Sequence, residues 1–537
     1  MANIKRFKRK QSSSFLKLIF IAAIYSLFFL CSEYTYRVVF DITAMRSLTE
    51  SYLFIFIFTI LMLTTKYRIS SFFIWLFFTI SIIANNIHQE YYRSWINSTN
   101  YLLLFVESGE VMNAGLSILP KFIIPFLWGT VESLVFASLI YFKSKKFILS
   151  DLLFYSLILF ICVRSFYTTQ QHGISPNPDY SRLKVNYFTF GYFIGKTLPY
   201  HVFSLSNVES YHADEPVAIN DPKIKNIILV MGESQNTQNM SYFGYSRDTT
   251  PFFNYLGQHS NAIIKPTYSA GVMTAVALPS FFNAIEKPNG MLQISTGKTN
   301  LFQLAQKQGY YTQFHTAQAE QQMMIMNLIG LSWIDEMTYP NHIGYSNSDN
   351  MPDQNLLAYL DTAGLDDRNN LIVLHQRGSH VPYGGLLTEE EKVFGKDTVI
   401  DNYDNTILKT DQLLKQIFQY LEARNKDDWI LIFTSDHGQN VSNETFNHGG
   451  FTPSSYTVPV MIFTPNTQIQ QNIIDTTKEC DHLFHQQIST LIISLMGYNT
   501  PISDCKLGYI NSNQLSGDSG YLQVNQETGQ MQKIYAN

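Results

Sequence analysis

Charged side chains are scarce in this sequence. Asp, Glu, Lys and Arg make up 15% of the 537 residues, the formal net charge is -5, and no cluster of basic residues is interleaved with aromatic ones. Proteins that bind nucleic acid concentrate positive charge on one face, so nucleic acid is not an expected partner. The chain also lacks internal repeats and low-complexity tracts, whereas aromatic residues reach 15%. This composition indicates membrane segments beside a soluble part.

Cysteine is also rare, and the four cysteines fall into two pairs. Cys31 and Cys162 lie in apolar runs and are predicted to be packing residues. Cys480 and Cys505 lie near the end of the chain, where an oxidising compartment would permit a disulfide. Their spacing does not decide whether the bond forms.

Five apolar runs occupy the first third of the chain, at 18–34, 52–65, 69–87, 122–142 and 147–167. Most approach the roughly 20 residues that a helix needs to cross a bilayer, and the second is short. Lys and Arg gather at the N-terminus and after the second and fourth runs, which the positive-inside rule places in the cytoplasm. Five crossings then put everything after about residue 168 outside the cell membrane. Buried helices of a soluble protein are the alternative.

Three parts are therefore predicted. Residues 1–170 form a transmembrane domain with five helices, and the segment 88–121 adds surface helices because it mixes aromatic and acidic residues. Residues 171–222 form a linker that is interrupted by prolines and contains one interfacial helix near 183–198. Residues 223–537 form the outer domain.

Apolar runs alternate with helical patterns in the outer domain, which predicts an α/β fold with a parallel sheet and helices on both faces. We predict strands at 227–231, 370–374, 429–433 and 458–463, and an amphipathic helix at 403–421.

Polar residues follow three of these strands directly. Glu233 follows the first, Asp436 and His437 follow the third, and the segment 375–380 follows the second. Ligands of α/β sheets bind at the carboxyl ends of the strands. Thr274 lies in a turn of small residues at a predicted helix start, where it would present a hydroxyl group. Taken singly, the Asp-His pair is more typical of an ordinary turn than of a ligand set, and only the recurrence of polar residues after strands indicates a site.

The four side chains of Glu233, Thr274, Asp436 and His437 would form an oxygen-rich site with one nitrogen, which suits zinc or manganese. A bound cation lowers the pKa of a coordinated hydroxyl and makes it a nucleophile. His380 and His448 are candidates to hold a phosphoryl group or to protonate a leaving oxygen.

The order of these segments resembles the bacterial phosphoethanolamine transferases of the alkaline phosphatase and sulfatase superfamily. The matching segments are GES at 232–234, GVMTA at 271–275, HQRGSH at 375–380, YDN at 403–405, SDHG at 435–438 and HG at 448–449. The resemblance implies five transmembrane helices, a linker with a surface helix and a sulfatase-like periplasmic domain at the bacterial inner membrane. The lipid A modifying enzymes belong to this family.

By position, the resemblance implies that Thr274 is the nucleophile and that Glu233, Asp436 and His437 hold zinc with it. It implies substrate contacts for the remaining matches, His380, His448, Ser108 and Glu110. Phosphatidylethanolamine would be the donor, and a lipopolysaccharide sugar or phosphate, in core heptose or lipid A, would be the acceptor.

The sequence departs from the lipid A enzymes in two places. Ala270 and Ser280 stand where those enzymes have a disulfide, and Gln318, Gln321 and Gln322 are the polar residues where they have a lysine. These departures favour core heptose over lipid A. A phosphoglycerol transferase of the lipoteichoic acid synthase or glucan type has the same topology and stays open, as does a non-catalytic membrane protein that binds lipid headgroups. The nucleophile motif of true sulfatases is absent around Thr274.

Overall fold

The computed structural model describes residues 2–92, 95–98, 100–101, 104, 119–143, 146–167, 176–199, 208, 211 and 213–534, except 324–325, 444–445, 448–449, 501–503, 513 and 518–519. The chain divides into two compact units, Met1–Leu205 and Ser206–Asn537. The boundaries that we predict at residues 170 and 222 stay predictions.

Six α-helices build the first unit within its described residues. They are α1 (Ala2–Val39), α2 (Leu48–Thr64), α3 (Arg68–Tyr92), α4 (Leu119–Ser138), α5 (Ile148–Tyr167) and α6 (Arg182–Tyr192). Among the described residues, four stretches are long and apolar enough to cross a membrane, namely Leu16–Val39, Arg68–Glu90, Phe122–Phe142 and Ile148–Tyr167. The second predicted run corresponds to α2, which has only 17 residues and is a shorter apolar helix. Aromatic side chains pack between the helices. For example, Phe78 of α3 stacks on Phe136 of α4, with ring centroids 4.0 Å apart.

A buried cluster of four charged side chains ties α6 to the other helices. The Arg182 guanidinium lies 3.1 Å from Glu132 of α4 and 3.7 Å from Glu33 of α1, and Arg37 lies 2.9 Å from Glu33. All four are at most 2% exposed. Asn86 of α3 also accepts a hydrogen bond from Arg182. Because two positive and two negative charges balance, the cluster can remain buried.

The helix predicted in the linker is packed inside this unit. Eight of the 11 residues of α6 are buried. At the start of the helix, Arg182 pairs with the buried carboxylates of Glu33 and Glu132. At and just beyond its other end, Gly191 and Gly195 allow the backbone to approach α5 closely.

An eight-stranded sheet forms the centre of the second unit. Its strands are β1 (Asn226–Gly232), β2 (Ile263–Tyr268), β3 (Tyr310–Thr316), β4 (Glu336–Thr338), β5 (Asn369–His375), β6 (Trp429–Ser435), β7 (Thr457–Phe463) and β8 (Leu483–Phe484). The spatial order is β8-β2-β7-β6-β1-β5-β3-β4. All four predicted strands are present.

One expectation about this sheet is wrong. We predict a parallel sheet, but β7 runs antiparallel to both of its neighbours, β6 and β2. A parallel return would need a crossover to the opposite edge of the sheet. Instead, the chain leaves β6 at the carboxyl edge, forms a small ladder between Asn440–Val441 and Phe446–Asn447, and re-enters the sheet as β7 from that same edge.

Helices cover both faces of the sheet, as predicted. They are α7 (Pro251–His259), α8 (Thr274–Phe282), α9 (Met291–Thr296), α10 (Leu301–Lys307), α11 (Met326–Ile329), α12 (Ala358–Thr362), α13 (Val399–Ala423), α14 (Pro453–Tyr456), α15 (Thr467–Thr477) and α16 (His485–Leu495). Alternate residues of β1 enter two different cores: Ile227 and Leu229 pack with α8 and α16 on one face, and Ile228 and Val230 pack with α7 and α13 on the other. Alternation of this kind follows from the two-residue repeat of a strand.

The end of the chain adds a smaller sheet and a covalent link. The antiparallel strands Leu507–Asn511, Tyr521–Asn525 and Gln530–Ile534 form the smaller sheet. Cys480 and Cys505, whose pairing the sequence leaves open, form a disulfide bond. Cys31 and Cys162 are free thiols.

Candidate metal and nucleophile site

Three neighbouring parallel strands bring the predicted site residues to one edge of the sheet. β1 lies between β5 and β6, with Met231 opposite His375 and Gly232 opposite Ser435. The residues that follow, Glu233 and the pair Asp436 and His437, therefore emerge side by side. This confirms the sequence argument that polar residues at successive strand ends meet at one edge.

Thr274 is the first residue of α8 and faces this edge. Its Oγ1 lies 3.1 Å from His437 Nε2, and 3.3 Å and 3.5 Å from the two carboxylate oxygens of Glu233. Glu233, Asp436 and His437 each offer one ligand atom within 4.8 Å of the others. These three side chains are at most 1% exposed, whereas Thr274 is half-buried. The hydroxyl therefore lies where a substrate can reach it, above a buried cluster.

Hydrogen bonds from the backbone orient two of the buried side chains, Asp436 and His437. Asp436 Oδ1 accepts the backbone N–H groups of Ser234 at 3.0 Å and His437 at 2.7 Å. Asp436 Oδ2 is buried, lies 3.5 Å from His437 Nε2 and has no hydrogen-bond partner among the described residues. His437 Nδ1 donates to the Gly438 carbonyl at 2.8 Å, which directs Nε2 toward Thr274 and Glu233. Asp436 Oδ2, which is buried without a hydrogen-bond partner in the described part of the chain, and the oriented Nε2 of His437 are therefore suited to bind a divalent cation.

The charges of the cluster favour the same conclusion. Burial, together with the neighbouring charge of Glu233, raises the pKa of Asp436 to about 7. Burial opposes ionisation of Glu233 too, but His437, His380 and the hydroxyl of Ser234 outweigh it and lower the pKa of Glu233. The charges of Asp436 and Glu233 likewise outweigh burial and raise the pKa of His437. Two buried carboxylates this close repel one another unless a proton or a cation lies between them.

A family model described as Sulfatase matches residues 225–498, which is just over half of the chain. The chain belongs to the sulfatase family. The predicted fold class, apolar helices followed by a sulfatase-like α/β domain, is thereby confirmed.

Curated relatives of this sulfatase-family chain include transferases. It is 25% identical over 316 residues to Putative transferase YhbX of Escherichia coli (strain K12), covering 56% of this chain and 53% of that protein. It is 23% identical over 314 residues to Phosphoethanolamine transferase EptA of the same strain, covering 53% of this chain and 55% of that protein. The chain thus spans about half the length of the curated relatives it matches. The resemblance to phosphoethanolamine transferases is confirmed by these similarities.

Among solved structures, the integral membrane protein lipooligosaccharide phosphoethanolamine transferase A from Neisseria meningitidis is 18% identical to this chain. The match covers 90% of this chain and 95% of that protein, with a TM-score of 0.46.

The structure describes some of the other predicted site residues of this sulfatase-family chain. His380 is half-buried after β5, and its Nδ1 donates to the Val381 carbonyl at 2.7 Å. The charge of His380 contributes to the lowered pKa of Glu233. His448, Ser108 and Glu110 lie outside the described residues.

Two side chains that hold Glu233 are missed by the sequence reasoning. Ser234 Oγ donates to Glu233 Oε1 at 2.7 Å, and Gln318 Nε2 donates to Glu233 Oε2 at 3.0 Å. The only signal for Gln318 was its position where relatives in the lipid A group have a lysine. Its role in holding a carboxylate had no signal, because it depends on a contact between distant segments.

A second missed feature is the loop behind Glu233. Gly378 adopts a φ of +53°, and a Cβ atom there would lie 2.8 Å from the Glu233 carbonyl oxygen and 2.9 Å from its nitrogen. Asp353 accepts the backbone N–H groups of Arg377 at 2.7 Å and Gly378 at 3.0 Å, which holds the loop in place. The sequence contains Gly378 in the segment HQRGSH, but no local pattern shows which backbone it approaches.

Proposed function

We propose that this protein is a metal-dependent phosphoethanolamine transferase. It transfers phosphoethanolamine from phosphatidylethanolamine to a lipopolysaccharide acceptor, either core heptose or lipid A, through a covalent intermediate on Thr274. The protein then resides in the bacterial inner membrane with the second unit in the periplasm. Support comes from the relatives named phosphoethanolamine transferases and from the chemistry of the site.

One observation carries the proposal. The Thr274 hydroxyl lies at the start of α8, within 3.5 Å of the Glu233 carboxylate, which can accept its proton, and 3.1 Å from His437 of the buried cluster. A nucleophile adjacent to a proton acceptor is the arrangement required for covalent catalysis. The backbone N–H groups at the start of a helix also favour an approaching phosphate.

Glu233, Asp436 and His437 would hold the metal together with Thr274, and zinc or manganese suits these donors. When bound, such a cation would lower the pKa of the threonine hydroxyl and neutralise charge on the phosphoryl oxygens.

In the first step, Thr274 Oγ1 attacks the phosphorus of phosphatidylethanolamine. The new bond joins Oγ1 to phosphorus, and the bond from phosphorus to the glycerol oxygen breaks. The hydroxyl proton of Thr274 passes to a carboxylate oxygen of Glu233, which lies 3.3 Å away. The leaving oxygen takes up a proton, for which His380 and His448 are the candidate donors, and diacylglycerol departs.

In the second step, a hydroxyl or phosphate oxygen of the acceptor attacks the same phosphorus. The bond from phosphorus to Thr274 breaks, and the threonine regains its proton from Glu233. When the acceptor is a hydroxyl, its proton passes to the histidine that protonated the leaving oxygen in the first step. His380 and His448 hold the phosphoryl oxygens in this step, and Ser108 and Glu110 contact the ethanolamine headgroup. Because each half-reaction begins only after the previous product has left, the kinetics are ping-pong.

The test is intact-protein mass spectrometry of the detergent-purified protein after incubation with phosphatidylethanolamine. We expect the wild type to gain one phosphoethanolamine, and we expect Thr274→Ala to gain nothing. Thr274→Ser keeps the hydroxyl and is the matched control, so it should form the adduct more slowly. An adduct formed from phosphatidylglycerol instead would assign the protein to the phosphoglycerol transferases.

A second measurement excludes a modification elsewhere. Peptide mapping should place the adduct on Thr274. If Thr274→Ala retains full transfer to lipopolysaccharide in cells, the proposed mechanism is wrong.

A further inference from the structure

An apolar cavity of about 120 Å³ lies within the helical unit, between α2, α3, α5 and α6. Its walls are mainly aromatic and aliphatic, and include Phe58, Phe77, Phe154, Ile161, Cys162 and Phe190. An engineered apolar cavity of about 150 Å³ accepts a benzene molecule. By the same measure, this cavity has room for about four or five methylene groups.

Two glycines of the segment that begins with α6 shape one wall of the cavity. A Cβ atom on Gly191 would lie 2.4 Å from Ile161 Cγ1, and one on Gly195 would lie 2.5 Å from the Cys162 carbonyl oxygen. Glycines four residues apart allow membrane helices to approach at backbone distance. On the side of α3, the rings of Phe77 and Phe190, which also line the cavity, have centroids 6.2 Å apart.

The cavity has few polar groups that could bind a water molecule. The polar side chains in its walls are Tyr187 and Cys162, and the Tyr187 hydroxyl already donates to the Leu157 carbonyl at 2.6 Å. A buried water molecule needs two to four polar partners, so an apolar occupant is favoured. Wall atoms beside an unfilled void also lose their dispersion contacts.

The cavity opens onto the apolar outer surface of the unit. Ile158 and Ile194 line it and are each 38% exposed. Exposed apolar side chains continue along α5, where Leu159 is 65% exposed. If α5 crosses the bilayer, these side chains face lipid, and a lipid tail can enter the cavity directly from the membrane.

A positive charge lies beside the cavity. Arg164 follows Ile161 by three residues on α5, so it lies one helical turn nearer the end of that helix. Its side chain is exposed, and its guanidinium carbon lies 5.5 Å from the centroid of the Phe188 ring. Among the described residues, no carboxylate forms an ion pair with Arg164. The guanidinium is therefore available for a phosphate group, which it can bind through two hydrogen bonds.

We propose that this cavity binds one acyl chain of a glycerophospholipid whose phosphate pairs with Arg164. The inference requires the helical unit to lie in a membrane, but it does not depend on the transferase reaction. A chain that moves from surrounding lipid into the cavity gains nothing from leaving water, because lipid tails are equally apolar. Selectivity therefore comes from the contacts with the aromatic walls and from the phosphate.

The test is photo-crosslinking of the full-length protein in lipid nanodiscs. The probe is phosphatidylcholine with a diazirine at the middle of one acyl chain, because it carries the phosphate but is not the proposed donor. We expect saturable labelling of the cavity residues Ile158, Ile161, Cys162, Tyr187, Phe190 and Ile194. Unlabelled phosphatidylcholine should compete for these positions but not for lipid-facing positions such as Leu159.

Two tryptophan substitutions on α5 form a matched pair. Cys162→Trp fills the cavity and should reduce the saturable labelling at least fivefold, while Leu159→Trp adds the same ring to the exposed surface and should leave it unchanged. Equal labelling in both variants would overturn the proposal. If Cys162→Trp does not fold, competition in the wild type decides, because labelling that does not saturate also overturns it.

A third variant tests the phosphate. Arg164→Gln should weaken labelling by the phosphatidylcholine probe several-fold but should not change labelling by a diacylglycerol probe with the same diazirine chain. An equal loss for both probes would show that Arg164 acts on the acyl chain or on the packing of the helices, which contradicts the proposed ion pair. Labelling by both probes without any loss would also contradict it.

Discussion

Replacing Gly378 by alanine should disturb the metal site, although this residue supplies no ligand. Gly378 has a φ of +53°, and its missing side chain is what allows the loop to lie against Glu233. A Cβ atom would lie 2.8 Å and 2.9 Å from the backbone oxygen and nitrogen of Glu233. Because these are backbone atoms at the end of the central strand β1, no side-chain rotation can relieve the collision.

Two costs add up in Gly378→Ala. An L-residue in the left-handed region costs about 1–2 kcal/mol relative to glycine. Forcing an extra carbon into a packed site costs a further ~1–3 kcal/mol. For a domain of this size, each kcal/mol lowers the thermal midpoint by about 2 °C, so we expect a decrease of roughly 4–10 °C. A shift of Glu233 should also weaken metal binding by about tenfold or more.

Gly309→Ala is the matched control. Gly309 also lies in the left-handed region, with a φ of +75°, but a Cβ atom there would have no neighbour within 4 Å. This variant should therefore lose only the conformational cost, about 1–2 kcal/mol, and should retain its metal. The assay is thermal unfolding of the purified full-length protein, combined with metal content after dialysis against buffered zinc. If both variants unfold at the same temperature and retain equal metal, the collision with Glu233 does not matter and the reasoning is refuted.

Three further predictions concern other contacts. Because the pKa of Asp436 is raised to about 7, the metal-free site holds a proton below that pH. Zinc must displace this proton, so zinc affinity should fall by up to about tenfold from pH 7 to pH 6 in calorimetric titrations. An affinity that does not change over this range would contradict the assigned protonation. Gln318→Leu removes the hydrogen-bond donor to Glu233 Oε2 and should reduce zinc affinity about 10- to 100-fold in the same titrations. Unchanged affinity would mean that the hydrogen bond from Gln318 does not orient Glu233. Arg182→Met leaves the buried carboxylate of Glu132 unpaired and Glu33 with Arg37 alone, and should destabilise the helical unit by about 3–5 kcal/mol. Lys184→Met removes a pair with an exposed carboxylate and should cost at most about 1 kcal/mol. Equal thermal midpoints of these two variants in detergent would argue against the buried cluster.

The meeting of the candidate metal ligands is predictable because each of these residues has a local signal in the sequence. Glu233, Asp436 and His437 each follow an apolar run directly, and the carboxyl ends of parallel strands meet at one edge of a sheet. Thr274 has a local signal as well, a turn of small residues before an apolar helix. The apolar helices of the first unit can also be recognised from the sequence, because a helix that crosses a membrane needs a minimum apolar length.

Contacts between distant segments were not predictable in the same way. The hydrogen bond from Gln318 to Glu233 and the approach of Gly378 to the Glu233 backbone join residues that are far apart in the sequence. The reversed direction of β7 depends on where the chain returns to the sheet, and the apolar pattern of a strand is the same in both directions.

The sequence by itself determined the fold class, the position of the apolar helices and the strand ends at which Glu233, Asp436 and His437 lie, because periodicity and strand-end residues are local properties. Only the tertiary structure decided how α6 is packed. Its aromatic pattern indicates a surface helix, yet Arg182 meets Glu33 and Glu132 in the interior. A buried charge is stable only beside its partners, and those partners come from two other helices.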